Sequence, residues 1–139
     1  MTDIHHQIGV KAELKDIHAA ITTLEGLSSW WTRASGDTAS GGTLTFHFAD
    51  NRIDMKILEL SRTKVTWQCM AEAGEWKNTI ISFELVESGD QIFINFSHSR
   101  WAQQTTLCAH CNTKWAIFLL SLKAYLEKGE GRPFPNDIH

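Results

Sequence analysis

The sequence predicts an α+β domain in which a curved antiparallel sheet of about six strands wraps around one long C-terminal helix. Three observations lead there. Five segments between Leu44 and His98 alternate apolar and polar residues and are joined by short, turn-rich links, the pattern of an antiparallel meander. From about Thr113 to Lys128, Trp115, Leu119, Leu122 and Leu126 recur at helical spacing, with Phe118 and Tyr125 widening the stripe. Ahead of the meander, a strand and short helices are expected over residues 8–31.

In chain order, Ile8, Val10, Ala12 and Leu14 alternate as an opening strand. Asp16 leads a helical stripe of Ile17, Ala20, Ile21 and Leu24 that Gly26 is expected to end, and Leu27 to Trp31 form a further short turn. Arg33 to Gly42 holds three glycines among small polar residues and reads as a mobile loop. Leu44, Phe46 and Phe48 then share one strand face, and Asp50-Asn51 is the expected hairpin turn. Ile53, Met55 and Ile57 agree in parity but Leu58 and Leu60 do not, which predicts a bulge near Ile57. Val65, Trp67 and Cys69 follow. Then come Thr79, Ile81, Phe83 and Leu85, a Ser88-Gly89-Asp90 turn, and Ile92, Ile94, Phe96 and His98. Asn112 is the expected N-cap of the long helix, and Gly129 its stop.

Composition narrows the function classes. The 139 residues are 42% hydrophobic and 21% charged with net charge −3, which suits a single domain over 1–139 with a sizeable core. The basic residues form no dense run, whereas nucleic-acid binding needs a concentrated positive face. The longest apolar run, Trp115 to Leu120, is six residues, far short of the about 20 that span a membrane. No basic segment followed by an apolar stretch opens the chain, and three cysteines make no disulfide framework. A reducing, cytoplasmic setting is therefore expected, with neither nucleic acid nor membrane insertion. Six tryptophans and seven phenylalanines stand out; such residues line ligand cavities and also fill ordinary cores.

Leu24 to Trp31 (LEGLSSWW), Val65-Thr66-Trp67, Glu75 to Leu85 (EWKNTIISFEL), Phe96-Ser97-His98 and the closing Trp115 to Gly129 together resemble the START-like SRPBCC superfamily. The resemblance is closest to its branch homologous to the activator of the heat-shock-protein-90 ATPase. It implies a helix-grip (Bet v 1-like) fold with a cavity between sheet and helix. Members bind lipids, polyketides or other apolar small molecules, some are cyclases or hydrolases, and the eukaryotic namesake stimulates a chaperone ATPase. No cofactor is implied.

On strand parity, Phe46, Phe48, Met55, Trp67, Phe83 and Phe96 face the concave side, with Trp30, Trp115 and Leu119 approaching from the helices. These nine with His98 are the expected pocket for an apolar or amphipathic ligand; the alternative is that they simply fill the space. His98, ending an apolar strand face, is expected to contact ligand, and is a weak candidate for a general base. No Asp, Glu or Ser stands at a spacing that completes a triad, and no catalytic signature is present. Cys108-Ala109-His110-Cys111 precedes the predicted helix, where a helix N-terminus could favour a thiolate. Cys108 and Cys111 are weak metal candidates that would need His110 with His5, His6 or His139, since zinc takes four ligands. Arg33 to Gly42, Arg100, Trp101 and Gln103 are expected near the cavity mouth, Trp101 as an exposed indole. The alternatives to a ligand-binding module are a protein-interaction module with a protein partner, or a cyclase- or hydrolase-like enzyme using His98.

Overall fold

A computed structural model describes residues 2–137. The elements run β1 (Thr2–Val10), α1 (Leu14–Thr22), α2 (Leu24–Trp30), β2 (Ala34–Gly36), β3 (Thr43–Phe48), β4 (Asn51–Leu60), β5 (Lys64–Cys69), β6 (Ile80–Ser88), β7 (Gln91–Trp101) and α3 (Thr106–Lys128). The strands form one sheet in the order β1-β7-β6-β5-β4-β3-β2, each neighbouring pair antiparallel. With α3 lying on the inner face, this is the α+β helix-grip arrangement.

The meander matches the alternation, because one face of each strand is buried and the other is not. The bulge near Ile57 is present: Ile57 pairs with Trp67 but Glu59 pairs with Thr66, which keeps Met55 and Ile57 inside and leaves Leu58 exposed. Among the described residues the sheet has seven strands, against the about six expected. Part of the expected mobile loop is β2, which pairs Ala34 with Phe46 and Gly36 with Leu44. The β3–β4 turn falls on Ala49-Asp50, one residue earlier than expected, with Ala49 at φ 52°.

The ends of elements differ more. The opening strand stops at Val10, and Leu14 begins α1 instead of closing that strand. Gly26 does not end a helix; it sits inside α2. A Cβ there would stand 2.6 Å from Ala19 O and from Ala20 Cα, so bare backbone lets α2 close on α1. Thr23 is the real break. Its Oγ1 donates to Ala19 O at 2.7 Å and accepts the Gly26 N–H at 2.9 Å, ending one helix and capping the next. Helix α3 starts at Thr106 rather than Thr113. Thr105, not Asn112, is the N-cap, accepting the Cys108 N–H at 3.1 Å. The 23 residues reach about 34 Å. Gly129 closes the helix at φ 83° as expected.

Past α3 the chain returns over α2. Ser121 Oγ donates to Trp30 O at 2.8 Å and accepts the Arg132 N–H at 2.6 Å, and the Phe134 N–H reaches Trp31 O at 2.6 Å. These bonds pin the tail beside the inner face of the sheet.

Candidate functional site

The space between sheet and α3 is occupied by rings. Trp31 stacks on Trp67 (6.2 Å between centroids, 2° between planes) and meets Phe46 at 4.3 Å and Trp115 at 4.9 Å. Phe83 sits edge-on to Trp67 at 5.3 Å and to Phe96 at 5.2 Å. Trp30, Phe46, Met55, Trp67, Phe83, Phe96 and Leu119 are all buried. Full burial of such side chains is worth about 1.5–3 kcal/mol each. Much of the expected pocket lining is therefore the packed core.

His98 lies in that core at 0% exposure. Its Nδ1 accepts the Trp115 indole N–H at 3.1 Å, so in the neutral ring the proton is on Nε2, which donates to Thr79 Oγ1 at 2.8 Å. Thr79 Oγ1 in turn donates to Trp76 O at 2.7 Å. Burial pulls the ring's pKa down to about 3. Both nitrogens are committed to this relay, which fastens α3 to β7 and to the β5–β6 loop. A general base needs a nitrogen free for its substrate, and His98 has none to offer. The geometry gives it a structural role instead of the ligand contact expected from its strand position.

Trp101 is also buried, at 1% exposure, and its indole N–H has no hydrogen-bond partner among the described residues. The expectation of an exposed indole at the mouth is thus overturned. Arg100, at φ 68°, supplies the reason. A bulge forms where Thr2 pairs with Trp101 but Ile4 with His98, held by the Arg100 N–H on Asp3 Oδ1 at 3.0 Å. It reverses the strand's parity and turns Trp101 inward.

What remains open is a cleft of about 410 Å³ at one end of the inner face. The β3–β4 hairpin supplies Phe48, Asn51 and Ile53. The first half of α3 supplies Leu107, His110, Cys111, Lys114, Trp115 and Phe118, and Trp31, Trp76 and Phe134 complete the wall. Of the ten expected pocket residues, Phe48 and Trp115 line it. Phe134 comes from the tail and packs edge-on against Phe48 at 5.4 Å. Trp76 comes from the β5–β6 loop and stacks on Trp115 at 6.5 Å.

Cys108 and Cys111 lie within the first two turns of α3, not ahead of it. Burial raises both thiols above the ordinary range, Glu75 adding to the effect, although the Thr105 backbone bond at Cys108 and the Trp76 side chain at Cys111 oppose it. The helix N-terminus therefore does not yield an activated thiolate here. Among the described residues no three His, Cys, Asp or Glu side chains converge on a metal position; His139 lies outside the described residues. No helix among them is long and apolar enough to cross a membrane.

The family model for Activator of Hsp90 ATPase homolog 1-like protein matches residues 11–127. Comparison with curated proteins gives no match. Among solved structures, the solution structure of the Aha1 dimer from Colwellia psychrerythraea superposes with a TM-score of 0.86 at 42% identity, over 94% of this chain and 100% of that one. Two others share the fold at low identity. DynU16, of the dynemicin biosynthetic locus, is 16% identical with a TM-score of 0.79, over 93% of this chain and 48% of that one. CalU16 from Micromonospora echinospora is 17% identical with a TM-score of 0.76, over 90% and 74%. The sheet order, the gripped helix and a match to most of the chain agree: this chain belongs to the Activator of Hsp90 ATPase homolog 1-like family, within the START-like SRPBCC superfamily.

Proposed function

We propose that the protein binds an apolar or amphipathic small molecule in the cleft between the β3–β4 hairpin and the first half of α3. The observation that carries this is the cleft itself. It has about 410 Å³ of room, walls that are mostly aromatic or aliphatic, and a few polar groups in Asn51, His110 and Lys114. Small-ligand sites typically have about 300–1,000 Å³ and this mixture of surfaces. Flat rings suit walls made of Trp31, Trp76, Trp115 and Phe118, because offset and edge-on aromatic contacts add to simple area burial.

Native mass spectrometry against a panel of flat and fatty compounds tests the proposal. A saturable one-to-one adduct is expected, and it should disappear in Ile53→Trp, whose indole would occupy the cleft. Retention of the adduct in that variant, with unfolding unchanged, would rule the cleft out.

A second reading, a protein-interaction module, is favoured by the 42%-identical Colwellia structure being described as a dimer. Light scattering on the purified protein tests the self-association that this reading entails. A stable interface should bury at least about 1,000 Å², so a chain that stays monomeric at micromolar concentration counts against self-association.

A further inference from the structure

Among the described residues Lys114 is the one charged side chain in the cleft wall, and no carboxylate lines it. Its ammonium stands 5.3 Å from the centre of the Phe118 ring and pairs with Asp137 of the tail. Asp137 does not line the cleft. It reaches Lys114 from the neighbouring groove between α3 and the tail, and its side chain is 3% exposed, against 29% for Lys114. An ammonium has three donors, and among the described residues Asp137 is the only hydrogen-bond acceptor that this one meets. A cation thus sits where a polar tail faces an apolar body, with a counter-ion that the protein itself supplies.

Exchange of one carboxylate for another keeps the Lys114 ammonium paired, provided that the displaced Asp137, buried at 3% exposure, turns out to solvent with the tail rather than staying as an unpaired buried charge. A neutral head group gains nothing from that exchange, and a cationic one is repelled. We infer that the cleft takes an amphipathic anion, one carboxylate on an apolar body, with Lys114 holding the head group in competition with Asp137. This rests on the cleft being a binding site. It adds that the C-terminal tail is both a wall, through Phe134, and a resident competitor.

The test compares 2-naphthoate with 2-naphthalenemethanol, two probes that share one apolar body. Affinities are read by isothermal titration calorimetry. The wild type should prefer naphthoate. Asp137→Asn removes the competitor and should tighten naphthoate about tenfold, the worth of a hydrogen bond to a charged group, and leave naphthalenemethanol unchanged. Adding Lys114→Met should cancel that gain and level the two probes. Because the two substitutions move naphthoate in opposite directions, a shared loss of folding cannot imitate the result. A naphthoate-to-naphthalenemethanol ratio that is the same in all three proteins overturns the anion inference and leaves the cleft standing as an apolar site. If neither probe binds and cleft-blocking changes nothing across the wider panel, the binding reading fails, and this inference with it.

Discussion

Replacement of His98 by leucine should cost about 3 kcal/mol of stability at pH 7 and far less at pH 5. Leucine has roughly the bulk of the ring but cannot accept the Trp115 indole N–H or donate to Thr79 Oγ1. A buried donor left without a partner costs about 1–3 kcal/mol. The lost contacts with Trp76 at 4.6 Å and Trp101 at 4.8 Å bring the total to about 3 kcal/mol. The pH dependence has the opposite origin. The folded ring titrates at about 3, against an ordinary value of 6.5, so the unfolded chain takes up its proton first on acidification. Stability from the neutral ring is complete above pH 6.5 and is lost as the pH falls towards 3, at about 1.4 kcal/mol per unit. At pH 5 the wild type has given up about 2 kcal/mol by this route and His98→Leu none, which narrows the gap to about 1 kcal/mol. Urea unfolding of both proteins at pH 7, 6 and 5 measures it, every other ionisable group being common to the two. A gap constant with pH would refute the buried neutral ring. No gap at pH 7 would refute the relay.

Other substitutions probe the local devices. Gly26→Ala should destabilise by about 2–3 kcal/mol, since its methyl group meets main chain that cannot step aside; an unchanged Tm would show that α1 and α2 can separate freely. Thr105→Val should cost about 1 kcal/mol through the lost cap, visible in chemical denaturation, and a neutral result would mean that α3 does not depend on its first turn. Cys108 and Cys111 should react with iodoacetamide at pH 7 much more slowly in the folded protein than in urea, because burial raises both thiols; equal rates would contradict it.

Most of the sheet is legible in the sequence because inward and outward positions alternate within each strand from Leu44 to His98, and even the one break, the Ile57 bulge, leaves its mark as a change of parity. The start of α3 is harder. Cys108 and Cys111 stand seven and four residues before Trp115 and extend its buried stripe, yet with two residues between them they look like a ligand pair, and most of the residues around them are polar. Trp101 is misleading for a different reason: a single residue at positive φ inverts the strand, and alternation carries no sign of it. The cleft walls are hardest. Trp76 sits in a loop and Phe134 in the tail, where no periodicity operates, and Trp31 follows the end of α2. Nine inward-facing residues were identifiable from pattern, but whether they enclose space or consume it depends on ring-to-ring geometry that composition does not encode.

That geometry has a consequence for light. Trp30 lies 6.1 Å from Trp31, which connects to Trp67 and Trp115, and Trp115 connects through Trp76 to Trp101. All six indoles therefore belong to one chain of neighbours, close enough for an absorbed photon's energy to hop between them before emission. Emission polarisation should be low even in viscous glycerol, and a variant reduced to a single tryptophan should recover it. The half-buried Trp76, on the cleft wall, is the member most open to solvent relaxation and so the natural end point of those hops. A molecule entering the cleft would then dim or shift the fluorescence of the whole set, and the protein would carry its own antenna for whatever it binds.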